Sequence, residues 1–271
     1  YLNINLSLSQ PSTEPTRYWD YHFSSIGEVK DTAEYQEELE RLFAQAVRRQ
    51  LVSDVPIGAY LSGGIDSGSI TAVASAQISD LNSFTCGFDL ANASGEELVF
   101  DESHTARRMA DLFKTNHHEY TLGANAMECC MDRLLYHLEE PRVGQSYPNY
   151  FAAKLASKHV KVVLSGIGGD ELFGGYPWRY YRAMNSQSFE EFIDNYYLYW
   201  QRLVDNTELR KIFAPVWKDV SHVWTRDIFR DVFSNHANEL ATPEDYVNHS
   251  LYFEAKTFLH SLFIVEDKIS M

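Results

Sequence analysis

Apolar and polar positions follow two alternating patterns over the first two thirds of the chain. Short apolar runs with polar or glycine residues at their ends predict buried β-strands over residues 57–61, 83–88, 116–122 and 160–165. Apolar residues at helical spacing predict α-helices over residues 31–51, 101–113, 124–138 and 148–158, with another directly after residue 64. Strands that alternate with helices predict an α/β fold, in which helices cover both faces of a parallel sheet.

The last third of the chain shows only the helical pattern. Large aromatic and aliphatic residues recur at helical spacing over residues 189–203, 209–220 and 246–268. Thr242-Pro243-Glu244-Asp245 is a helix-start signal, because it combines a cap residue, a proline at the first helical position and early acids. We therefore expect a mainly helical lobe, with aromatic stripes such as Tyr196, Tyr197 and Trp200 in its core.

The beginning of the chain has a different pattern. Apolar residues alternate with polar ones from Leu2 to Leu8, as in a strand, until prolines interrupt the alternation. We expect residues 1–30 to be a connector from a preceding domain, residues 31–177 to form the α/β lobe and residues 178–271 to form the helical lobe. Because the chain begins at a tyrosine and stops inside a helical pattern, we expect a piece of a longer protein, truncated at its C-terminus.

Composition and charge exclude several classes of function. A formal net charge of −15 over 271 residues argues against nucleic-acid binding, which requires basic surface. The chain contains no apolar run of membrane-spanning length. Its cysteines, Cys86, Cys129 and Cys130, are too few for a disulfide framework and wrongly spaced for a zinc site. These features predict a cytoplasmic protein with reduced cysteines and no membrane partner.

A loop that suits an anion follows the first predicted buried strand. Ser62-Gly63-Gly64-Ile65-Asp66-Ser67 joins that strand to a helix start, where unpaired backbone N–H groups and glycines allow close approach of an oxyanion. The serines add hydroxyl donors, whereas Asp66 would repel phosphate unless a cation lay between them. The alternative is an ordinary glycine-rich turn capped by serine. Such a turn would need only Ser-Gly-Gly, and the presence of all six residues after a strand favours a binding loop. The loop therefore predicts Mg²⁺ and an anion of pyrophosphate size.

A second dense loop follows the last predicted strand. Residues 165–176 read Ser-Gly-Ile-Gly-Gly-Asp-Glu-Leu-Phe-Gly-Gly-Tyr. Three glycines leave the backbone open to a ligand, and Asp170 and Glu171 follow them directly. This carboxylate pair suits acid–base chemistry, metal binding or the start of a helix. Ligands of parallel sheets bind at the carboxyl ends of the strands, and both loops lie at such ends. We therefore expect the two loops to share one site.

These motifs resemble those of a known family. The first loop resembles the PP-loop of N-type ATP pyrophosphatases, which split ATP between its α and β phosphates. Together with the second loop and Glu266-Asp267-Lys268, it closely resembles the synthetase domain of glutamine-dependent asparagine synthetases. The resemblance runs from about residue 18 to residue 271. It implies a PP-loop fold, ATP and Mg²⁺, ammonia from an N-terminal glutaminase domain that this chain lacks, and it is compatible with a homodimer.

The resemblance also implies a mechanism and its residues. A substrate carboxylate attacks the α-phosphorus of ATP, and ammonia then displaces AMP from the acyl-adenylate. Catalytic roles are implied for Lys268, Asp66, Asp170 and Glu171, and Mg²⁺ binding for Asp66 and Asp170. Contacts with ATP or pyrophosphate are implied for Tyr60, Leu61, Ser62, Gly63, Gly64, Asp66, Ser67, Cys86, Ser165, Gly166 and Gly168.

One position departs from the family pattern. Ile167 stands where the family has an acid near the acceptor or the incoming ammonia, so that half of the chemistry stays open. Aspartate is the expected acceptor, and the alternatives are a uronic acid, a peptide side chain or a ring-closing β-amino acid. A further alternative is a non-catalytic nucleotide-binding module, against which Asp66, Asp170 and Lys268 argue. Arg142 is a candidate partner for the acceptor carboxylate.

Overall fold

The computed structural model describes residues 2–4, 13–23, 31–91, 101–139, 146–182, 184–201, 204–236, 240 and 242–270. The chain forms two compact units. The first, called the sheet unit, comprises Gly27–Phe173 and Phe258–Met271, and the second, called the helical unit, comprises Tyr1–Ile26 and Gly174–Thr257. The predicted domain division stays a prediction. The units differ from it in grouping residues 258–271 with the sheet and residues 1–26, the predicted connector, with the helices.

The secondary structure has the predicted alternation. The strands are β1 (Leu2–Ile4), β2 (Thr13–Pro15), β3 (Ile57–Tyr60), β4 (Asn82–Phe88), β5 (Asn116–Leu122) and β6 (Val162–Leu164). The helices are α1 (Thr32–Gln50), α2 (Ile65–Ser75), α3 (Ser103–Phe113), α4 (Ala126–Leu138), α5 (Ser146–Ala156), α6 (Gly169–Phe173), α7 (Pro177–Tyr180), α8 (Phe189–Trp200), α9 (Asn206–Ile212), α10 (Trp217–Val220), α11 (Thr225–Asp231), α12 (Pro243–Glu254) and α13 (His260–Ser270).

The sheet unit contains a parallel sheet in the order β5-β4-β3-β6. Successive residues of a strand face opposite sides of the sheet, and the core follows this rule at the end of β3. Ala59 packs with Val47 of α1 and Ala74 of α2, whereas Tyr60 packs with Phe84 and Ala156 at the end of α5. Helices therefore cover both faces, which confirms the predicted α/β class.

The C-terminal helix α13 belongs to this core. Val265 packs with Leu122 at the end of β5, with Leu138 of α4 and with Phe151 of α5. These contacts place the segment that carries Glu266 and Lys268 beside the ends of the strands. This packing explains why residues 258–271 group with the sheet unit and not with the helices that precede them.

The helical unit has an aromatic core, as predicted. Its buried members are Phe192, Ile193, Tyr196, Tyr197, Phe229, Phe233, Tyr246, Tyr252 and Phe253. A fully buried carboxylate, Glu254, accepts hydrogen bonds from Arg179 Nη1 at 3.0 Å and from the Tyr196 hydroxyl at 2.7 Å. The Arg179 guanidinium also lies 3.6 Å from the centre of the Tyr176 ring. The buried charge is thus paired.

Local signals explain where several helices begin and end. The predicted start of α12 is confirmed, since Thr242 and Asp245 form a capping box in front of it. The predicted helix 209–220 is wrong as one element, because a 3₁₀ turn at Ala214–Val216 separates α9 from α10. Pro215 lies in that turn, and proline removes a backbone donor that a continuous helix needs.

The predicted helix 246–268 is also interrupted, by a π-helical turn at Ala255–Leu259. Of the predicted strand over residues 2–8, the structure describes β1, which pairs antiparallel with β2. Among the residues that the structure describes, no helix combines the length and apolarity that crossing a membrane requires.

Candidate functional site

The two glycine-rich loops lie side by side at the carboxyl end of the sheet. β3 and β6 are neighbours, with Ala59 paired to Leu164, and each strand ends directly before its loop. From β3 the chain continues to β4 and β5 on one side, whereas β6 is added on the other side. The gap between β3 and β6 is therefore the topological switch point of the sheet, where α/β folds bind their ligands.

The two loops can approach each other closely because glycines, which have no side chain, lie at their contact. A Cβ atom on Gly166 would lie 2.6 Å from the backbone nitrogen of Ser67, which is too close for any real contact. A Cβ on Gly169 would collide with the Asp66 carboxylate. Gly63 and Gly168 have φ angles of +92° and +112°, which non-glycine residues rarely adopt. The predicted meeting of the two loops is confirmed at the level of backbone contact.

Asp66 and Asp170 are brought together by this contact. The Asp66 carboxylate accepts a hydrogen bond from the backbone of Asp170. Burial raises the pKa of Asp66, and the negative charge of Asp170 raises it further. Two carboxylates that repel each other at an anion-binding loop are hard oxygen donors suited to a divalent cation. Within the described residues, no group of three or more His, Cys, Asp or Glu converges as a metal site would require.

The loop after β3 is closed by its own hydrogen bonds. The backbone N–H of Ser62 donates to Ser67 Oγ at 3.1 Å, and the two hydroxyl oxygens lie 2.9 Å apart. The backbone N–H of Gly64 donates to Ser62 Oγ at 3.2 Å. Ser67 is buried, whereas Ser62 is exposed. The donors expected to hold a phosphate are therefore already aligned, although in this arrangement they satisfy one another.

The structure adds Glu102, which the sequence patterns did not single out. Glu102 is the residue directly before α3, on which the loop after β3 packs, since a Cβ atom on Gly63 would lie 3.1 Å from the Glu102 carbonyl oxygen. Partial burial and the charge of Asp101 raise the pKa of Glu102. The signal in the sequence is its position, because Asp101 and Glu102 directly precede the helix that follows β4.

Three of the positions predicted to contact ATP or pyrophosphate, Tyr60, Leu61 and Cys86, lie near the ends of β3 and β4. Leu61 is buried, and its N–H donates to the carbonyl oxygen of Phe84 at 2.9 Å. Burial raises the pKa of Cys86 to about 12, so this thiol is not a reactive thiolate. Burial also raises the pKa of Tyr60, and the negative charge of Glu266 contributes to the same shift.

Glu266 therefore joins this end of the sheet from α13. Burial raises its pKa, and its carboxylate accepts a hydrogen bond from the Asn149 side chain of α5. The sequence patterns had treated Glu266 only as a neighbour of the predicted lysine. Packing of α13 against α4 and α5 brings it to the strand ends.

Two other predicted residues have different surroundings. Lys268 Nζ donates to the carbonyl oxygen of Leu138 at 2.7 Å and lies 3.6 Å from the Glu139 carboxylate, at the end of α4. These contacts are not with either glycine-rich loop, so the catalytic assignment of Lys268 stays a prediction. Glu171 is 2 % exposed in the first turn of α6, which suits a supporting residue.

The remaining predicted positions belong to the second loop. Ser165, Gly166, Ile167 and Gly168 connect β6 to α6, and the Ile167 side chain is half-buried. Of these, Gly166 lies against Ser67 of the first loop, with Ser165 and Gly168 on either side of it in the second loop. Arg142 lies outside the described residues.

Comparisons with known proteins identify one family. The family model described as asparagine synthase matches residues 38–271. A putative glutamine-hydrolysing asparagine synthetase 2 of Methanocaldococcus jannaschii is 35% identical over 175 residues, which cover 64% of this chain and 32% of the relative. Glutamine-hydrolysing asparagine synthetase 1 of Bacillus subtilis is 32% identical over 160 residues, which cover 59% and 24% respectively. The chain thus matches about a quarter to a third of the length of these relatives.

Proposed function

The chain belongs to the asparagine synthase family, and from this premise we propose that it is the synthetase part of an ATP-dependent, AMP-forming carbon–nitrogen ligase. The observation that carries the proposal is the meeting of Asp66 and Asp170 on two glycine-rich loops at the switch point of the sheet. Loops of this kind bind anions, and the like-charged pair gives a reason for a cation at the same place. A glutaminase domain elsewhere in the whole protein would supply ammonia.

In this proposal the triphosphate of ATP lies over both loops. Backbone N–H groups at the start of α2 and the hydroxyls of Ser62 and Ser67 donate to its oxygens. Asp66 and Asp170 are the residues that would hold Mg²⁺, which when bound would neutralise charge on pyrophosphate. The adenosine part would contact the backbone around Tyr60, Leu61 and Cys86, near the ends of β3 and β4, and around Ser165 and Gly166 of the second loop.

The chemistry consists of two displacements. An oxygen of the acceptor carboxylate attacks the α-phosphorus, a new P–O bond forms, and pyrophosphate leaves with the electrons of the broken P–O bond. The nitrogen of ammonia then attacks the activated carbonyl carbon, AMP leaves, and the nitrogen loses a proton to give the amide. The loops contribute by orienting the phosphates and by stabilising charge that develops on the leaving pyrophosphate.

Lys268 is the proposed cation for the α-phosphate. To act there, its ammonium has to leave the Leu138 carbonyl and the Glu139 carboxylate that it contacts in this structure. Buried Glu171 would support the second loop from α6. We assign these two roles to the same reaction, and they are separable from the roles of Asp66 and Asp170.

Aspartate is the first candidate for the acceptor, and asparagine would then be the product. A second candidate is another carboxylate, such as a uronic acid or a peptide side chain, because the half-buried Ile167 brings no charge to the second loop. An apolar side chain cannot accept a proton or pair with an ammonium group, so the acceptor would have to be recognised differently from aspartate.

Release of pyrophosphate tests the proposal. The full protein is incubated with ATP, Mg²⁺ and ammonia, and pyrophosphate is measured with aspartate, uronic acids or peptide carboxylates as acceptors. Release that depends on aspartate supports an asparagine synthetase, and release that depends on another acid supports the second candidate. If no acid gives release, the chain is a nucleotide-binding module and the ligase proposal is wrong. Ile167→Glu is the informative variant, because restoring an acid at this position should increase pyrophosphate release with aspartate relative to the other acceptors.

A further inference from the structure

Glu266 of α13 is a half-buried carboxylate of which one oxygen is open. Its Oε1 atom accepts a hydrogen bond from the side-chain amide of Asn149, in the first part of α5. Among the residues that the structure describes, none donates a hydrogen bond to Oε2. An uncharged amide satisfies one acceptor position of a carboxylate and leaves its negative charge in place. Glu266 therefore has both an acceptor oxygen and a charge available for a further group.

The chain itself supplies no counter-charge to Glu266 within the described ranges. Lys268, two positions further along α13, donates to the carbonyl oxygen of Leu138 at 2.7 Å and lies 3.6 Å from the Glu139 carboxylate. The adjacent and exposed Asp267 adds a second negative charge. Partial removal of a carboxylate from water is unfavourable unless its charge is compensated. A positively charged ligand would provide that compensation.

Two contacts of the same segment place Glu266 near the proposed ATP site. Leu259, directly before α13, lies against the second glycine-rich loop, since a Cβ atom on Gly168 would be 3.5 Å from Leu259 Cδ1. Glu266 follows Leu259 by seven residues, so that both lie on nearly the same side of the helix, about 10.5 Å apart along its axis. Val265 belongs to the apolar cluster against which Cys86 of β4 packs. The Glu266 carboxylate thus lies beside the second loop and the strand ends.

We propose that Glu266 binds, through its open oxygen, an ammonium group of a reactant in the amide-forming step. This inference rests on the proposed function, whose reactants offer two sources of such a group. One is the ammonium ion that supplies the nitrogen, and the other is the amino group of an amino-acid acceptor such as aspartate. ATP and pyrophosphate are anions, which a carboxylate repels. Asn149 acts as a positioning residue, because its bond to Oε1 fixes the direction of the other oxygen.

Glu266→Gln tests this role in the full protein. Glutamine keeps the size of the side chain and an oxygen that can accept from Asn149, but it removes the charge. A hydrogen bond between two charged groups is then lost, so the KM for the reactant that Glu266 binds should rise about tenfold. Pyrophosphate release is measured at saturating ATP and Mg²⁺ while either ammonium chloride or the acceptor is varied. The KM for ATP, measured separately, should stay within about twofold of wild type.

Two analogues distinguish the sources of the ammonium group. Hydroxylamine replaces ammonia as the nitrogen nucleophile and is uncharged near neutral pH. If Glu266 binds the ammonium ion, the variant should raise the KM for ammonium chloride and leave the KM for hydroxylamine nearly unchanged. Succinate differs from aspartate only in lacking the amino group. If Glu266 binds the acceptor, the KM for aspartate should rise, while the inhibition constant of succinate should not.

Two further variants separate a specific effect from general ones. Asp132→Asn removes an exposed negative charge from α4, which packs in the same cluster as α13, and should leave every KM within about twofold. Glu266→Asp keeps the charge on a shorter side chain. It should recover part of the affinity that Glu266→Gln loses, which a role based on side-chain size would not predict.

The possible results have different consequences. If wild type releases pyrophosphate and Glu266→Gln leaves the KM for both ammonium chloride and the acceptor unchanged, the Glu266 inference is wrong and the proposed function stands. If the KM for ATP rises by the same factor and the urea midpoint falls, Glu266 supports the local fold, and the inference is again wrong. If wild type releases no pyrophosphate with any acceptor, the proposed function fails, and the inference fails with it.

Discussion

The two units of this molecule satisfy acidic side chains in opposite ways. In the helical unit, fully buried Glu254 is bonded to Arg179 and to the hydroxyl of Tyr196. In the sheet unit, half-buried Asp66 lies against Asp170, whose negative charge adds to the effect of burial on its pKa. The first acid has its counter-charge within the chain, whereas the second is pushed toward protonation by another acid.

The difference separates stability from function. A buried carboxylate with an arginine partner is needed by the fold, and its loss leaves an unpaired charge in an apolar core. Two acids that repel each other on glycine loops contribute little to the fold of the free protein, and their arrangement suits the cation that the proposed function places between them. The variants below test this contrast, from the largest expected effect to the smallest.

Glu254→Ala should be the most destabilising of these substitutions. It leaves Arg179 charged and buried without its carboxylate, so we expect a loss of about 3–5 kcal/mol of unfolding free energy. Urea unfolding followed by circular dichroism measures this loss. The double variant Arg179→Met and Glu254→Met, which removes both charges, should recover most of it. If the double variant is as unstable as Glu254→Ala, the pair stabilises the fold by more than cancelling its two charges.

Asp66→Asn should have the opposite profile. Pyrophosphate release should fall by about 10²–10³-fold, which is typical of losing a charge-stabilising group. Its unfolding free energy should not decrease, because the substitution removes a repulsion. The rate of pyrophosphate release and the urea midpoint, measured on the same preparation, test both parts. Undiminished turnover would contradict the assignment of Asp66 to the metal.

Gly166→Ala should moderately reduce both the stability of the protein and its affinity for pyrophosphate. Its Cβ would meet the Ser67 backbone nitrogen at 2.6 Å, so the loops must separate, at about 1–3 kcal/mol. Gly123→Ala is the matched control, because the nearest atom to its Cβ would be 3.7 Å away. Thermal unfolding and pyrophosphate affinity should change in the first variant only. Equal behaviour of the two variants would mean that the loops do not need their close contact.

The pH dependence of stability gives the smallest effect. Because the folded pKa of Asp66 is raised, the stability linked to its protonated form is fully present below the ordinary carboxyl pKa of about 3.9 and is lost as pH rises through the raised value. Asp66→Asn should therefore be more stable than wild type at neutral pH, by less than about 1 kcal/mol in this partly solvated site. Urea midpoints from pH 3 to 7 test this, and the two proteins should converge at the acidic end.

The sheet and its two loops were predictable because their signals are local. Apolar runs marked β3 to β6, and the glycines of the loops at 62–67 and 165–176 stood directly after two of them. Parallel pairing then brings these loops to one edge without further information. The capping box at Thr242 is local in the same sense.

What stayed hidden depends on contacts between distant segments. No periodicity reveals that Glu266 meets Asn149, or that Lys268 lies against the end of α4, because these contacts follow from how α13 packs. The predicted helix over residues 209–220 shows a different failure. Helical spacing continues through Pro215, and the geometric effect of one proline outweighs the pattern around it.

The neighbouring position of β3 and β6 has a thermodynamic consequence. Asp66 and Asp170 are 104 positions apart in the sequence, so a ligand that holds both acts as a removable cross-link across more than a third of the chain. The edge strand β6 is only three residues long, so local fraying of this strand would release the second aspartate. A ligand at 100 times its Kd would add about 2.7 kcal/mol to the stability of the assembled form. In the proposed function that ligand is Mg²⁺ with a nucleotide, so binding it and closing this edge of the sheet would be one equilibrium.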